Sequence, residues 1–313
     1  MSAVKFPAAD DVTRIDVTTL IDLHRHARTL SLTSNRIRAR MSGQYVSAFR
    51  GRGMEFDEAR PYQPGDDIRS IDWRVTARTG RTHTKLFREE RERPVLLWVD
   101  FRRSMFFGTR NYFKSVLAAR IAGLLAWTTA QQGDRLGGLV FSDQVHHELR
   151  PQRGQSATLH FLQQLAEHPA WAQGVQQQPD PGSGMRALLR LRRVARPGSL
   201  IFLLSDFRDM RDDIQSHLAQ LKRHNDVVML FINDPLEREL PPAGLYRVSD
   251  GKRELDINSR DKHHRQRYRQ RVAQQRQTLQ QQGQKMGVYF IDISTEDDMW
   301  YKLQSELGRV TGR

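Results

Sequence analysis

The chain has 313 residues, no cysteine and a formal net charge of +14. This length suffices for one large domain, or for a medium-sized domain with an appendage, and it can bury a substantial core. The lack of cysteine excludes disulfide bonds and thiolate metal sites, and no apolar run approaches the roughly 20 residues that a bilayer-spanning helix needs. Residues 1–7 contain no apolar signal core. We therefore expect a folded cytoplasmic protein without a transmembrane segment.

Short elements come first in the chain. Val17 to Leu32 carries apolar residues at helical spacing behind Asp16, a residue type that caps helices. Short β-like pieces follow, and none of them could bury a large core alone. These pieces are Tyr45 to Phe49, Gly51 to Phe56 and Lys85 to Phe87. We therefore expect residues 1–92 to form an N-terminal helix and an extended β clasp on the main domain.

A charged motif lies within this clasp. Pro64-Gly65-Asp66 is a strong turn signal, because proline presets one backbone dihedral and glycine accepts the next. Around this turn, charged residues of both signs follow one another, and their order predicts Arg–carboxylate pairs that hold the clasp in register. The members are Arg60, Asp66, Asp67, Arg69, Asp72, Arg74 and Arg78. A catalytic carboxylate pair is the alternative, but each acid has an arginine close in sequence, which favours the structural role.

From residue 93 onward, buried strands alternate with helices. Val95 to Val99 and Ser199 to Ser205 are continuous apolar runs, which are typical of strands buried on both faces of a parallel sheet. A hairpin is expected near residues 246–256. Alternation of this kind predicts a doubly wound, mostly parallel α/β sheet of Rossmann type over residues 93–313. Neither a glycine-rich turn after the first strand nor a Walker loop is present, which argues against a nucleotide site.

Both central strands end at a carboxylate. Asp100 ends the first apolar run, and Asp206 follows the second. Ligands of open α/β sheets bind beyond the carboxyl ends of the strands, so we expect both aspartates at one edge of the sheet. Carboxylates joined by hydroxyl groups suit Mg²⁺, which prefers oxygen ligands. The simpler interpretation is that Asp100 only caps the turn into the next helix.

The charged motif and the first strand together resemble the domain of unknown function 58 family. The resemblance is carried by Gly51 to Phe56, by Arg60-x-Tyr62-x-Pro64-Gly65-Asp66-Asp67-x-Arg69-x-Ile71-Asp72-Trp73, and by a strand ending Asp100-x-x-x-Ser104-Met105. It implies a von Willebrand factor A-like domain with a β-rich N-terminal appendage. It also implies a MoxR-type AAA+ ATPase as the protein partner, and a non-enzymatic, chaperone-like or complex-assembly role.

The resemblance further implies a metal-ion-dependent adhesion site, which has the pattern D-x-S-x-S, a distant threonine and a late aspartate. Asp100 matches the first aspartate, Ser104 the second serine and Asp206 the late aspartate, and Ser183 is the candidate for the threonine position. Arg102 replaces the first serine, and its guanidinium opposes a cation at this position. We therefore expect a degenerate site that binds Mg²⁺ weakly or not at all, with Arg102 paired to an aspartate.

Two other functions stay open at this point. Residues 252–285 contain ten Lys and Arg against three Asp and Glu, which is typical of nucleic-acid-binding proteins. However, these arginines are mixed with glutamines, and Tyr268 is the one aromatic residue among them, so a solvated helix face is the simpler interpretation. A metal-dependent hydrolase around Asp100 and Asp206 is the other alternative, but the sequence offers no evident general base. We expect the paired histidines, His146-His147 and His263-His264, to be surface residues.

Overall fold

The computed structural model describes residues 12–32, 54–63, 66–89, 93–208, 214–249 and 254–308. The strands, in chain order, are β1 (Met54–Pro61), β2 (His83–Glu89), β3 (Pro94–Asp100), β4 (Arg135–Phe141), β5 (His146–Arg153), β6 (Leu200–Ser205), β7 (Asp226–Asn233), β8 (Leu245–Ser249), β9 (Glu254–Asn258) and β10 (Tyr289–Ser294). The α-helices are α1 (Val17–Asp22), α2 (His24–Ala27), α3 (Trp73–Thr79), α4 (Lys114–Gln131), α5 (Gln155–Ala166), α6 (Ala170–Gln173), α7 (Ser183–Val194), α8 (Ile214–Lys222), α9 (Pro235–Arg238), α10 (Lys262–Lys285) and α11 (Met299–Leu307). Short 3-10 helices are formed by Ile68–Ser70, Arg103–Met105 and Gly174–Gln176.

A six-stranded sheet with the spatial order β10-β7-β6-β3-β4-β5 forms the centre of the larger unit. All neighbouring strands are parallel except β4 and β5, which are antiparallel. The predicted doubly wound, mostly parallel α/β sheet is therefore confirmed. The direction in which successive strands are added reverses between β3 and β6. In sheets of this kind, that switch point is where ligands are bound.

Both faces of the sheet are covered, which explains why its central strands are apolar without interruption. Alternate residues of a strand point to opposite faces. In β3, Val95, Leu97 and Val99 belong to one core, and Leu96 and Trp98 belong to the other. The first core includes residues of α1, α2, α4, α5 and α11, and the second includes residues of α7 and α8.

Helix α4 is the most buried helix of the described chain. All of its residues from Lys114 to Thr129 are buried. Gly123 allows α1 to come close, because a Cβ atom at this position would lie 2.9 Å from a methyl group of Leu20. The helix starts at the same edge of the sheet as the ends of β3 and β6, so its first turn can contribute side chains to that edge.

The chain divides into two compact units, of which one comprises residues 1–45 and 93–313 and the other residues 46–92. This division differs from the expected one, in which residues 1–92 stood apart from residues 93–313. The apolar stripe of the N-terminal segment is the physical reason. Leu20, Leu23 and Leu30 are buried in the core that includes α4, so this segment folds with the α/β unit.

The smaller unit contains the antiparallel pair β1–β2 and helix α3. Of the predicted Arg–carboxylate pairs, Arg60 and Asp66 do form one, at 2.7 Å. The prediction is wrong for Asp72, whose carboxylate instead caps α3 by accepting from the backbone amides of Arg74 and Val75. The expected strand Tyr45 to Phe49, the first residues of the expected strand Gly51 to Phe56, and Pro64-Gly65 of the predicted turn lie outside the described residues.

Two further expectations concern the larger unit. The structure contains the predicted hairpin as β8 paired antiparallel with β9. None of the helices in the described part of the chain combines the length and the apolar composition that crossing a membrane requires.

Candidate functional site

The candidate site lies at the switch point, where β3 and β6 run parallel and side by side. Val99 pairs with Leu204, so Asp100 and Ser205 follow at neighbouring positions on the same edge. The Ser205 hydroxyl donates to Asp100 Oδ2 at 2.6 Å, and Asp206 is the next residue. The structure thus brings both predicted aspartates to one edge of the sheet.

Asp100 is fully buried and forms an ion pair with Arg102. The Arg102 Nε donates to both carboxylate oxygens, at 3.0 and 3.1 Å, and Nη2 donates to Oδ2 at 2.7 Å. The Arg102 backbone amide adds a fourth bond to Oδ1 at 2.8 Å. Burial alone would lower the pKa of Arg102, but the charge and hydrogen bonds of Asp100 raise that pKa above its ordinary value. Such a buried pair is held by fork-shaped, charge-assisted hydrogen bonds.

Asp206 is paired with Lys114, the first residue of α4. Lys114 is completely buried, and its Nζ lies 2.8 Å from Asp206 Oδ2 and 2.7 Å from Glu237 Oε1. Burial by itself would raise the pKa of Asp206, but the charges of Lys114, Arg208 and Arg102 outweigh burial and hold this pKa well below its usual range. The carboxylate therefore stays ionised at neutral pH.

Six charged side chains form one connected group, which we call the edge cluster: Asp100, Arg102, Lys114, Asp206, Arg208 and Glu237. Arg102 Nη2 lies 4.0 Å from Asp206 Oδ1, and Arg208 Nη2 lies 2.6 Å from Glu237 Oε1, so both cations connect parts of the cluster. Three carboxylates face three cations. The negative charge that would attract a divalent ion is already neutralised by the protein's own side chains.

The edge cluster does not fit Mg²⁺ in its present arrangement. Both oxygens of Asp100 already accept hydrogen bonds, and a divalent ion among them would be repelled by Arg102 and Lys114. Across the described residues, there is no group of three or more His, Cys, Asp or Glu side chains that could hold a metal ion. The positions next to Asp100 and Asp206 that an ion would need are taken by a guanidinium and an ammonium group.

The two serines predicted to complete the site lie elsewhere. Ser104 is half-buried in the 3-10 helix Arg103–Met105 and makes no hydrogen bond to Asp100 or Asp206 in the described structure. Ser183 starts α7, where its hydroxyl donates to the Asp180 carbonyl at 2.7 Å and to Asp143 at 3.3 Å. The four residues proposed as ligands therefore do not share one set of contacts.

Lys114, Arg208 and Glu237 were missed by sequence reasoning. Lys114 had a detectable signal, since it is a charged residue in the first turn of a helix that is mostly apolar. Glu237 belongs to α9, where it also completes a capping box with Asp234, and nothing local in the sequence relates it to β3 or β6. Arg208 follows Asp206 by two residues and resembles an ordinary surface arginine.

The histidines do not contribute to the edge cluster. His146, His263 and His264 are exposed, as expected, but His147 is half-buried, which corrects the prediction of a surface position. Its ring lies 5.0 Å from that of His168, whose pKa is lowered to about 3 by burial and by the neighbouring His147.

Comparison with known proteins gives a family and several distant structures. The family model described as "Protein of unknown function DUF58" matches residues 58–278. The uncharacterized proteins Rv1480 of Mycobacterium tuberculosis and Mb1516 of Mycobacterium bovis are each 32% identical over 218 residues, which cover 69% of this chain and 67% of theirs.

Among solved structures, BatB from Bacteroides thetaiotaomicron has 14% identity and a TM-score of 0.44, covering 69% of this chain and 97% of that one. An aerotolerance-related membrane protein from Bacteroides fragilis has 15% identity and a TM-score of 0.44, covering 69% and 98%. The PilB minor pilin from Streptococcus sanguinis has 11% identity and a TM-score of 0.37, covering 72% and 62%. The family match extends from β1 into α10 and covers most of the chain, and this chain is therefore a member of the DUF58 family.

Proposed function

We propose that this chain is a non-enzymatic protein–protein interaction module of the cytoplasm. In this proposal, its α/β unit is a von Willebrand factor A-like domain with a degenerate metal-ion-dependent adhesion site. It works with a MoxR-type AAA+ ATPase in a chaperone-like or complex-assembly role. The observation that supports this most is the edge cluster, in which Arg102 and Lys114 take the place of a metal ion at the switch point.

The protonation states in the edge cluster support a role without turnover. A general acid or base works best when its pKa lies near the operating pH. Here the pKa of Asp206 is held far below that range, and the pKa of Arg102 is raised further above it. Asp100, Arg102 and Lys114 are also buried, so they do not face a substrate.

The loop that contains Phe107, Thr109 and Arg110 lies next to the edge cluster and offers a surface for a protein. Asp234, which is fully buried, accepts from the Thr109 amide at 2.7 Å and from its hydroxyl at 2.6 Å, so the loop is held in place. Phe107 is 36% exposed on this loop, and Arg110 is exposed. An apolar and a cationic side chain presented on a fixed loop are suited to protein recognition, because binding then orders little of the loop.

Binding to a MoxR-type ATPase encoded in the same genome tests the proposal. We expect the purified chain to bind this ATPase, and the double variant Phe107→Ala/Arg110→Glu to bind at least about tenfold more weakly. The matched control is Leu159→Ala/Arg150→Glu, which changes an exposed apolar residue and an exposed arginine elsewhere in the same unit. Absence of binding by the wild-type chain, or equal weakening by the control, would count against the proposal.

Calorimetry tests the degenerate metal site separately. We expect no binding of Mg²⁺ to the wild-type chain at micromolar levels. Arg102→Ser restores the pattern D-x-S-x-S, and Lys114→Met removes the second competing cation, so the variant Arg102→Ser/Lys114→Met is expected to bind Mg²⁺ measurably. Micromolar Mg²⁺ binding by the wild-type chain that Asp100→Ala abolishes would contradict the proposed degeneracy.

A second candidate function is nucleic-acid binding by α10. Its 24 residues include seven Lys and Arg and no Asp or Glu, and Arg267, Arg269 and Arg271 are exposed. Phosphate contacts make affinity fall with salt, with a slope of about 0.9 per contact on duplex DNA. A salt-dependent shift of labelled DNA or RNA, with a smaller slope after Arg265, Arg267 and Arg271 are changed to Gln, would support this function. Lack of any shift at low salt would exclude it.

A further inference from the structure

The smaller unit exposes two large apolar side chains within one short stretch. Trp73 is 69% exposed and Ile68 is 68% exposed. Trp73 is the first residue of α3, and none of the seven residues of this helix is buried. The helix therefore presents its aromatic residue to solvent, whereas large aromatic side chains of folded proteins usually supply buried contact area.

Hydrogen bonds hold α3 in place without the burial of its side chains. Asp72 is buried, caps the helix, and donates its backbone amide to the His83 carbonyl at 2.8 Å. The His83 amide in turn donates to Thr76 Oγ1 at 3.0 Å. Gly80 ends the helix with a φ of +69°, a conformation that residues with a side chain rarely adopt. Trp73 is thus carried on a fixed support.

The acidic and the basic side chains around Trp73 differ in whether they have partners. Two of the described acids are engaged within the unit, since Asp66 pairs with Arg60 and Asp72 caps α3. The arginines Arg74, Arg78 and Arg81 are exposed, and none of them forms an ion pair within the described chain. Among the described side chains next to Trp73, these three arginines therefore form a cationic group without an ion-pair partner.

We propose that the α3 surface, formed by Ile68, Trp73, Arg74, Arg78 and Arg81, docks a protein whose surface has an apolar pocket bordered by carboxylates. Trp and Arg are the residue types that most often dominate protein interfaces, and a rigid aromatic side chain fills a pocket at little entropic cost. Carboxylates match the fork-shaped geometry of arginine. A single-stranded nucleic acid fits this surface less well, because it stacks successive bases on several aromatic residues, and Trp73 is the exposed aromatic residue among the described side chains of this unit.

Site-specific photo-crosslinking in the native host tests this surface without a prior choice of partner. Trp73 is replaced by photoreactive benzoylphenylalanine in the full chain. The matched control carries the same group at Tyr301, which is 68% exposed and lies in the other unit. We expect one dominant protein adduct at position 73 that is absent from the control. Its crosslinked peptide should contain apolar and acidic residues, and the adduct should be lost when Arg74→Glu and Arg78→Glu are added.

Binding measurements with the purified chain and the identified protein then give the size of the effect of each substitution. Trp73→Ala and the pair Arg74→Glu/Arg78→Glu should each weaken binding of the identified protein at least about tenfold, while Tyr301→Ala leaves binding unchanged. Absence of an adduct, an adduct with nucleic acid or with a second copy of this chain, or unchanged binding by Trp73→Ala would overturn the proposal. An adduct with a protein other than a MoxR-type ATPase would support the α3 surface and leave the ATPase binding at Phe107 and Arg110 to its own test, so the two proposals can fail separately.

Discussion

Individual charged residues decide the character of the switch point. Lys114 forms ion pairs with both Asp206 and Glu237, and Arg102 donates three side-chain hydrogen bonds to Asp100. Buried ion pairs contribute little net stability compared with apolar side chains of the same volume, but removal of one partner leaves a buried charge without compensation. The edge cluster is therefore sensitive to single substitutions.

Replacement of Lys114 tests this sensitivity. We expect Lys114→Met to lower the free energy of unfolding by about 3–5 kcal/mol, because Asp206 and Glu237 lose the cation they share. Lys262→Met is the control, since Lys262 is exposed at the start of α10 and its loss should cost less than about 0.5 kcal/mol. Urea unfolding measures both. A loss below about 1 kcal/mol for Lys114→Met, which is close to the effect of an ordinary surface substitution, would show that the pair is not needed.

His168 predicts a dependence of stability on pH. It is buried. Burial, and to a smaller extent the charge of His147, lowers its pKa in the folded chain to about 3, against about 6.5 in the unfolded chain. Between these two values the unfolded state binds more protons than the folded state. The contribution of His168 to the free energy of unfolding is therefore fully present above about pH 6.5 and is lost as the pH decreases toward about 3. Asn at this position keeps an acceptor for the Ala170 amide but does not titrate. We expect His168→Asn to reduce the loss of stability between pH 7 and pH 4 by roughly 2–3 kcal/mol, as measured by urea unfolding. Identical pH profiles for both proteins would contradict this.

Among the residues of the edge cluster, the sequence predicts only those that have a local signal. Asp100 and Asp206 could be predicted because each stands at the end of an apolar run. Arg102 could be predicted as their counter-charge because it follows Asp100 by two residues. Glu237 could not, since its contact with Lys114 joins residues 123 positions apart and depends on the completed sheet.

At the scale of elements, close contact between strands depends on small residues. Gly137 and Gly138 lie in the middle of β4, and a Cβ atom at Gly138 would lie 2.2 Å from the Leu97 carbonyl oxygen of β3. The neighbouring strand cannot give way there, because β3 is itself packed between two cores. The two glycines therefore allow β4 to pair at the centre of the sheet.

A pair of glycine substitutions tests this contact. Gly138→Ala is expected to lower the free energy of unfolding by about 1–3 kcal/mol or more, because the added methyl group must displace backbone. Gly283→Ala in α10 is the control, since its Cβ would have no neighbour closer than 3.9 Å, and it should raise stability by about 0.5–1 kcal/mol. Thermal or urea unfolding distinguishes the two. An unchanged stability for Gly138→Ala would show that the strands can move apart.

The elements that sequence reasoning missed lie at exposed positions. The edge strand β5 alternates between exposed and half-buried residues and contains Pro151, a residue type that strands tolerate at an edge. Its polar composition gives no apolar run that would predict a strand, whereas β3 and β6 are continuous apolar runs. Helix α3 was missed as well, because it is seven residues long and buries none of them.

For the molecule as a whole, the two units have different sources of stability. The larger unit has a six-stranded sheet with a core on each face, whereas the described residues of the smaller unit form two strands, a short 3-10 helix and an α-helix without buried residues. Local opening requires less free energy where fewer apolar contacts are lost. The two units should therefore open independently of each other in their native states.

Hydrogen exchange measures this difference. We expect the amides of β1, β2 and α3 to exchange about 100-fold faster or more than those of β3 and β6. The hairpin β8–β9, a two-stranded pair of the larger unit, is the internal comparison and should exchange at rates near those of β1 and β2. Equal protection of α3 and β3 would show that the smaller unit gains stability from contacts beyond its own.

The cations at the switch point are side chains of the chain itself, and this limits how the edge can be controlled. Lys114 and Arg102 cannot dissociate, so for the proposed degenerate site we expect an arrangement that does not vary with the ionic composition of its surroundings. Handling in EDTA should leave it intact, and a rise in free divalent ions should not change it. In the proposed interaction, on–off regulation of contacts at this edge therefore has to come from the partner protein.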